Sequence, residues 1–324
     1  MDTLDTQVLE SALRWAAQGF RFALFTVVQT WGSSPRPPGA WMILREDGLI
    51  SGSVSGGCIE DDLMVKMSEG EFAGHLPFTL KYGVAAEEAR RFGLPCGGTL
   101  ELVVEPCPDI SALSQLSVLI SQRKRVLRKL RLSDATVQLE VIDQAAEPSW
   151  DGVSLVTFHG PAWRLLLIGA GQISKFLAPM ATALGYQVLV CDPRIEYTQE
   201  WEIPNVTLCA EMPDDAVVQM QVDAHCAIVA LTHDPKLDDM ALLEALKSPA
   251  FYVGALGSVR NQEKRKSRLF EHFDITLSQL ERLHGPVGLS IGSRTPPEIA
   301  VSILAEITAV KNGASSRLRD SLVN

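Results

Sequence analysis

Apolar and polar positions follow two different patterns along the chain, and the change comes near residue 160. Beyond that point, short apolar runs are separated by segments in which apolar residues recur at helical spacing. The runs typical of buried strands are RLLLIG, QVLVCD, VTLCA, HCAIVALT and FYVGALG. Strands that alternate with helices predict a parallel sheet covered on both faces. We predict such an α/β domain over residues 161–324.

Residues 1–160 mix the helical and the strand periods. Helical spacing is found in DTQVLESALRWAAQG, CIEDDLMVKMSEGEF, AAEEARRFG and ISALSQLSVLISQ, and strand patterns in RFALFTVVQT, PFTLKYG, TLELVVEP, RKRVLRKLRL and VQLEVID. Asp47-Gly48, between AWMILRE and LISGSVS, indicates a hairpin turn. The segment DQAAEPSWDG is turn-rich and precedes the predicted junction near Gly160-Pro161. We predict a mixed α+β domain with antiparallel pairing over residues 1–160.

Composition narrows the classes of partner. The chain has 324 residues, with 29 Lys and Arg against 39 Asp and Glu, so its net charge is −10. An acidic chain is poorly suited to nonspecific binding of nucleic acid or of anionic membranes. The N-terminal residues lack the basic and apolar regions of a signal peptide, and no apolar stretch reaches the roughly 20 residues of a membrane helix. Since the six cysteines form no C-x-x-C pair, we expect a cytoplasmic protein with free thiols.

The first strand of the C-terminal domain runs directly into a glycine turn. Gly169, Gly171 and Ser174 have the spacing of a dinucleotide-binding turn that opens a helix. Gly169 would allow the tight turn, and Gly171 the approach of a pyrophosphate to the helix N-terminus. Asp192 ends the next strand, 23 residues after Gly169, where an acid can accept ribose hydroxyls, and Arg194 could offset its repulsion of a 2′-phosphate. The pattern predicts a Rossmann-like fold with a bound nucleotide such as NAD(P), or the same fold with its pocket reused.

Three further side chains, one imidazole and two guanidinium groups, follow predicted strands or lie near the starts of predicted helices. His233 follows the strand HCAIVALT, at the sheet edge where open α/β folds bind ligands. Asp234, before Pro235, is expected mainly to cap the next helix. Arg260 stands near a helix N-terminus, and Arg294 precedes a capping box at Thr295–Glu298. We regard His233, Arg260 and Arg294 as candidate ligand-binding residues.

Two of the predicted helices carry more local expectations. Pro179 lies inside the helix that follows the glycine turn, and it should kink that helix or shift its start. The helix after Arg260 is expected to present a solvated basic face made of Lys264, Arg265, Lys266 and Arg268.

Cys58 stands directly after two glycines and before three carboxylates. Gly56 and Gly57 allow a sharp turn into a helix, whose dipole favours a thiolate in the first turn by about 0.3–1 kcal/mol. Glu60 and its two acidic neighbours can cancel that effect, so the residues alone leave a reactive thiol and a small apolar filler both open. Cys96, in PCGG, presents the same choice.

Several motifs taken together resemble the XdhC/CoxI family. The N-terminal ones are TWGSSPRPPGAWMIL, GSVSGGCIEDDL and PCGGTLELVVEP, and the C-terminal ones are LLLIGAGQIS…VLVCDPR, LTHD, GALGSVR and HGPVGLSIGSRTPPEIAVSILAEI. The resemblance spans most of the chain except roughly residues 109–160. The family's motif residues fall here on Gly32, Ser33, Ser34 and Arg36; on Ser55, Gly56, Gly57, Cys58 and Glu60; on Cys96, Gly97 and Gly98; and on Gly169, Gly171, Asp192 and Arg194. Ser174 and Gln172 depart from the family's usual residues.

The resemblance implies an accessory chaperone rather than an enzyme. Such a protein binds the molybdenum cofactor, as molybdopterin or its cytosine dinucleotide, protects it during sulfuration and delivers it to a xanthine dehydrogenase or aldehyde oxidoreductase-type hydroxylase. The implied partners are that hydroxylase, a cysteine desulfurase and a second copy of the chain. Cys58 would then serve as a soft metal or sulfur contact. We hypothesise that the cofactor lies between the two domains, with its dithiolene near Cys58 and its phosphates near the Rossmann glycines.

Two other functions remain open from the residues. The first is an NAD(P)-dependent oxidoreductase in which His233 transfers the proton. The second is a nucleotide-responsive binding module without chemistry of its own.

Overall fold

The computed structural model describes residues 3–31, 36–83, 99–144 and 146–314. The side chains of Thr3, Leu4 and Cys58 are not part of that description. The chain divides into two compact units, Met1–Ala162 and Trp163–Asn324, each with its own core. The predicted helix AAEEARRFG lies outside the described residues, as do the loop PCGG and the segment 32–35 of the GSSPR motif.

A five-stranded antiparallel sheet forms the centre of the first unit. Its strands are β1 Phe22–Trp31, β2 Trp41–Arg45, β3 Ile50–Gly52, β4 Phe78–Tyr82 and β5 Thr99–Glu105, in the order β3-β2-β1-β5-β4. The β2–β3 hairpin predicted from Asp47-Gly48 is confirmed by the pairing of Leu44 with Ile50. Side chains of β1 alternate between two cores, because successive residues of a strand point to opposite faces.

Each face of this sheet is covered by a helix. Helix α1 (Thr3–Ala17) contributes Val8 and Trp15 to the core that contains Leu24 of β1. Helix α2 (Cys58–Ser68) contributes Ile59 and Leu63 to the core that contains Phe25. The start of α2, which carries the SGGC motif, is therefore fixed by burial of its second and sixth residues.

A second, four-stranded antiparallel sheet completes the first unit. It follows helix α3 (Ile110–Ser121) and consists of β6 Arg125–Arg131, β7 Val137–Ile142, β8 Ser149–Trp150 and β9 Ser154–His159, in the order β7-β6-β9-β8. The turn-rich interpretation of DQAAEPSWDG missed β8, and β9 was not predicted. Strand β9 pairs with β6, from which β7 separates it in the chain, and the two-residue β8 is too short to show an alternating pattern.

The second unit contains a six-stranded parallel sheet, which confirms the predicted fold class. Its strands are β10 Trp163–Ile168, β11 Tyr186–Cys191, β12 Val206–Cys209, β13 Cys226–Ala230, β14 Tyr252–Ala255 and β15 Leu283–His284, in the order β12-β11-β10-β13-β14-β15. The first five are the predicted strands, and the two-residue β15 was not predicted. The helices are α4 Gln172–Ala183, α5 Ile195–Thr198, α6 Pro213–Gln219, α7 Pro235–Lys247, α8 Val259–His272, α9 Leu277–Glu281 and α10 Pro296–Lys311. None of the described helices is both long and apolar enough to cross a membrane.

Two local expectations about helices need correction or completion. Helix α4 begins at Gln172 and continues through Pro179 to Ala183, so the proline does not shift its start. The solvated basic face was wrong for Arg265, which is only 6% exposed. Its guanidinium pairs with Asp238 of α7 at 3.0 Å, because α8 packs against α7 along this side.

One buried ion pair joins the two sheets of the first unit. Arg128 of β6 and Glu105 of β5 are 1% and 3% exposed, and the guanidinium donates two parallel hydrogen bonds to the carboxylate, at 2.9 and 2.5 Å. The same guanidinium lies 5.7 Å from the centre of the Trp41 ring. A charge removed from water in this way is tolerated because its partner neutralises it.

We predict that Glu105→Gln destabilises the first unit by about 3–5 kcal/mol, since it leaves the Arg128 charge buried without a counterion. Equilibrium denaturation followed by tryptophan fluorescence measures the change. The exposed pair of Lys129 and Glu140 provides the control, and Lys129→Gln should cost less than about 1 kcal/mol. Replacing both buried partners by Leu should cost less than Glu105→Gln alone. Equal losses for Glu105→Gln and Lys129→Gln would contradict the prediction.

Candidate functional site

The glycine turn between β10 and α4 brings three chain segments close together. Gly169 has φ +108°, and its N–H donates to the carbonyl of Cys191 at 2.7 Å. A Cβ at this position would approach Thr232 to 3.1 Å, so both the conformation and the space require glycine. Ser174 is fully buried, and its hydroxyl donates to the Gly169 carbonyl at 2.5 Å. The serine that departs from the family's pattern thus closes the turn with an extra hydrogen bond.

Gly171 lies on the open side of the same turn. It is the N-cap of α4, and a Cβ built on it meets no atom within 4 Å. The space belongs to a cleft of about 390 Å³ at the carboxyl edge of the parallel sheet. Arg194, His233 and Arg294 line this cleft together with the first turn of α4. A helix N-terminus combined with guanidinium groups and an imidazole favours an anionic ligand, above all a phosphate.

Asp192 is enclosed by hydrogen bonds instead of facing the cleft. The carboxylate is fully buried and accepts from the Ala170 N–H at 2.8 Å and from the Arg194 backbone N–H at 3.1 Å. The Arg194 guanidinium adds two more bonds, each 2.9 Å long, and stacks 4.0 Å from the Tyr197 ring centre. Burial alone would raise the pKa of Asp192, but these bonds outweigh it and leave the pKa below its ordinary value. In this conformation no carboxylate surface is available to ribose hydroxyls.

His233 and Asp234 follow β13 on a turn with an unusual backbone. His233 has φ +61°, is exposed and lines the cleft. Such a conformation is uncommon for a non-glycine residue and persists only where neighbouring contacts fix it. The Asp234 N–H donates to the Thr232 hydroxyl at 3.0 Å and so closes the turn around His233. The Asp234 side chain accepts from the Lys236 N–H at 2.9 Å and caps α7. The capping role predicted for Asp234 is confirmed.

Arg294 and Arg260 differ in their relation to the cleft. Arg294 is exposed and lines it, and its backbone N–H donates to Glu298 at 2.7 Å. The same carboxylate accepts from the Thr295 N–H at 2.9 Å, and these two bonds lower the pKa of Glu298. The Glu298 part of the predicted capping box therefore holds Arg294 at the mouth of the cleft. Arg260 is an exposed residue in the first turn of α8, outside the residues that line the cleft.

In the first unit, the loop that leads into α2 is organised by Glu60. This carboxylate is 8% exposed and accepts hydrogen bonds from four successive backbone N–H groups at 2.8–3.0 Å, those of Val54, Ser55, Gly56 and Gly57. The hydroxyls of Ser53 and Ser55 also donate to it. Burial opposes ionisation, but the donors outweigh it and lower the pKa of Glu60 to about 2. An internal anion thus occupies the loop donors that an external phosphate would need.

This role of Glu60 differs from the ligand role predicted for it. The signal in the sequence was its position as the third residue of α2, from which a glutamate reaches back to the residue before the helix. Gly56 has φ +84°, so the loop requires glycine there. Cys58 is the first residue of α2 and follows directly from this loop.

The remaining predicted site residues are placed as follows. Arg36 is largely buried, and its guanidinium lies 3.4 Å from Asp5 of α1. The segments that contain Gly32, Ser33, Ser34, Cys96 and Gly97 lie outside the described residues. Within the described part of the chain, no three His, Cys, Asp or Glu side chains come together as a metal site.

Comparison with known sequences gives two matches to family models. Residues 165–307 match the model described as the XdhC Rossmann domain, and residues 15–83 match that of the XdhC and CoxI family. The two matches include the glycine turn, the cleft and the Glu60 loop.

Individual proteins are similar over most of their length. A protein of Escherichia coli (strain K12) named "Molybdenum cofactor insertion chaperone PaoD" is 28% identical over 94% of this chain and 88% of its own. A protein of Bacillus subtilis (strain 168), named as a probable xanthine dehydrogenase subunit, is 27% identical over 88% of this chain and 91% of its own. A crystal structure from Bacillus halodurans, described as a xanthine dehydrogenase, aligns with a TM-score of 0.78 at 25% identity and covers 97% of this chain and 96% of that one.

We predict that Glu60→Gln destabilises the first unit by about 3 kcal/mol at neutral pH. This is the free energy that corresponds to lowering the pKa of Glu60 from 4.5 to about 2. A carboxyl group whose pKa is lower in the folded chain stabilises the fold at pH values above its pKa in the unfolded chain. The contribution of Glu60 is therefore complete above about pH 4.5 and disappears as the pH falls toward 2. Urea denaturation at several pH values measures both effects.

Asp61→Asn provides the matched control, because Asp61 occupies the same helical turn but is exposed. It should leave both the stability and its dependence on pH close to those of the unmodified chain. The unmodified chain should lose stability as the pH falls from 4.5 to 2, and Glu60→Gln should not show this part of the loss. If the variant lost as much stability over this pH range as the unmodified chain, the role assigned to Glu60 would be wrong.

Proposed function

Since this chain belongs to the XdhC/CoxI family, we propose that it is an accessory protein that binds the molybdenum cofactor and delivers it to a molybdenum hydroxylase. The name of the E. coli relative, a molybdenum cofactor insertion chaperone, supports this role. The similarity to proteins named for xanthine dehydrogenase supports a hydroxylase of that type as the recipient.

The observation that carries the proposal is the anion-binding cleft beside Gly171. Molybdopterin is a phosphate ester, and its cytosine dinucleotide form contains a pyrophosphate. The open space at Gly171, the N-terminus of α4 and the side chains of His233 and Arg294 fit such a group, and Arg194, which is paired with Asp192, lines the cleft beside them. The chain's net charge of −10 makes this local arrangement necessary, because the protein as a whole repels anions.

The finer steps of the function belong to the same proposal. The protein shields the cofactor while a cysteine desulfurase supplies the terminal sulfur, and Cys58 contacts the molybdenum or the sulfur during that step. Cys58 is the first residue of α2 and directly follows a loop whose backbone Glu60 holds, and this position supports its part in that step. Two copies of the chain form the working unit.

A nicotinamide-dependent oxidoreductase is the second candidate, and the glycine turn favours it. The four hydrogen bonds that enclose Asp192 argue against it, because a ribose diol needs this carboxylate. One experiment distinguishes the two functions. NADH oxidation is followed with carbonyl substrates, and the bound pterin is measured on the same sample. Turnover without bound pterin would favour the oxidoreductase.

The direct test is to purify the full chain from molybdenum-replete cells and assay pterin and molybdenum. We expect both to elute with the protein and to restore activity when it is mixed with an apo-hydroxylase. A chain that carries neither, and that does not activate the apo-enzyme when supplied with free cofactor, would overturn the proposal.

We predict that Arg294→Ala weakens cofactor binding about tenfold, the effect of losing one charged hydrogen bond of about 1.4 kcal/mol. Pterin retained through gel filtration measures the change. Lys264→Ala is the control, because Lys264 is an exposed cation of α8 outside the cleft. Equal retention by the two variants would contradict the role of Arg294.

We predict that Cys58→Ala still binds the pterin but loses most of the delivery of sulfurated cofactor, because alanine lacks a sulfur for molybdenum or for sulfur transfer. Cyanide-labile sulfur in the recipient hydroxylase measures the loss. Cys107→Ala, at an exposed free thiol, is the control. Full sulfuration with Cys58→Ala would show that this thiol takes no part.

A further inference from the structure

Two cysteines occupy paired positions on adjacent parallel strands. Cys191, the last residue of β11, is in register with Cys209, the last residue of β12. Both side chains face the same core, which also contains Ala216 and Val217 of α6. Neighbouring strands lie about 4.8 Å apart, within the range of roughly 4.4–6.8 Å between the Cα atoms of a disulfide. The pair therefore meets the condition that a disulfide sets on the spacing of the Cα atoms.

The two thiols have different surroundings. Cys191 is fully buried, and its Sγ lies 3.3 Å from the carbonyl oxygen of Glu211. Cys209 is half-buried, so a small reagent can reach it. The neighbouring Cys191 thiol, whose single proton can turn from the Glu211 carbonyl to the sulfur of Cys209, lowers the pKa of Cys209 to about 7, with a smaller contribution from the backbone of Glu211. Near neutral pH, Cys209 is the nucleophile of the pair and Cys191 the protonated partner.

We propose that Cys191 and Cys209 form a redox site that closes to a disulfide on reaction with a hydroperoxide. The Cys209 thiolate attacks the peroxide oxygen, the O–O bond breaks, and a sulfenic acid and hydroxide form. The sulfur of Cys191 then attacks the sulfenic sulfur, an S–S bond forms, and the S–O bond breaks to release water. In total, two thiols lose two electrons and two protons, and one hydrogen peroxide becomes two waters. A dithiol reductant reverses the reaction.

The pair is connected by backbone hydrogen bonds to the anion-binding cleft. The Gly169 N–H donates to the carbonyl of Cys191, and the Asp192 N–H donates to that of Cys209 at 3.1 Å. A disulfide constrains both strand ends where these carbonyls lie. We therefore expect oxidation to change the affinity of the cleft for an anion. This second effect depends on the proposed function, whereas disulfide formation does not.

The experiment treats the full-length chain with hydrogen peroxide, blocks the remaining thiols and maps peptides by mass spectrometry. We expect a peptide pair joined through Cys191 and Cys209, lighter by two hydrogen atoms and lost after dithiothreitol. Cys209→Ser should abolish the joined peptide and leave Cys191 unreacted. Cys191→Ser should instead leave Cys209 as a sulfenic acid that dimedone captures. Folding is checked by the thermal transition of each variant.

Cys107→Ser and Cys226→Ser are the controls, because these free thiols lie outside the pair and should not alter the joined peptide. A wild-type chain in which peroxide leaves Cys191 and Cys209 as separate thiols would overturn the proposal. For the cleft, inorganic pyrophosphate is the probe, and its affinity is compared before and after oxidation. Unchanged affinity in a chain that forms the disulfide would overturn only the coupling to the cleft.

Discussion

Carboxylates that accept backbone N–H groups hold the loops of both units in shape. A sharp turn leaves several N–H groups without a partner, and burying them unpaired costs free energy. In this chain, Glu60 accepts four of them before α2, and Asp192 accepts one from the glycine turn and one from Arg194. Asp238 accepts from the N–H and hydroxyl of Thr232, and Glu298 from two N–H groups before α10. Part of the excess of acidic residues thus serves the fold itself.

The position of a carboxylate distinguishes two glycine loops that have similar sequences, the SGGC loop and the turn at Gly171. In the SGGC loop the donors converge on Glu60, so the loop is complete without a ligand. At Gly171 the side chains instead leave open space in front of the first turn of α4. A glycine-rich motif before a helix therefore indicates a turn with available donors, and the position of the nearest carboxylate decides whether those donors face the protein or a ligand.

The sequence was sufficient for features that depend on local patterns. The five long strands of the parallel sheet, the Asp47-Gly48 hairpin and the Asp234 cap all follow from residues close together in the chain. Features that depend on distant partners were missed or wrong. Strand β9 pairs with β6, from which β7 separates it in the chain, Arg265 is buried by a carboxylate on another helix, and the register of Cys191 with Cys209 is set by the sheet. The strands β8 and β15 were missed for another reason, because two residues are too few to show an alternating pattern.

The charges of the cleft suggest which cation determines its affinity. The Arg194 guanidinium donates two hydrogen bonds to Asp192, so the two charges largely cancel. A ligand that took Arg194 away would leave a buried carboxylate without its partner. Among the described residues, no carboxylate pairs with the Arg294 guanidinium. Glu298 binds only the backbone N–H of Arg294. An anion can therefore gain the full attraction of Arg294 without breaking an internal pair. Arg194 and Asp192 then act as one neutral wall of the cleft, and Arg294 with the N-terminus of α4 supplies the field that selects an anion.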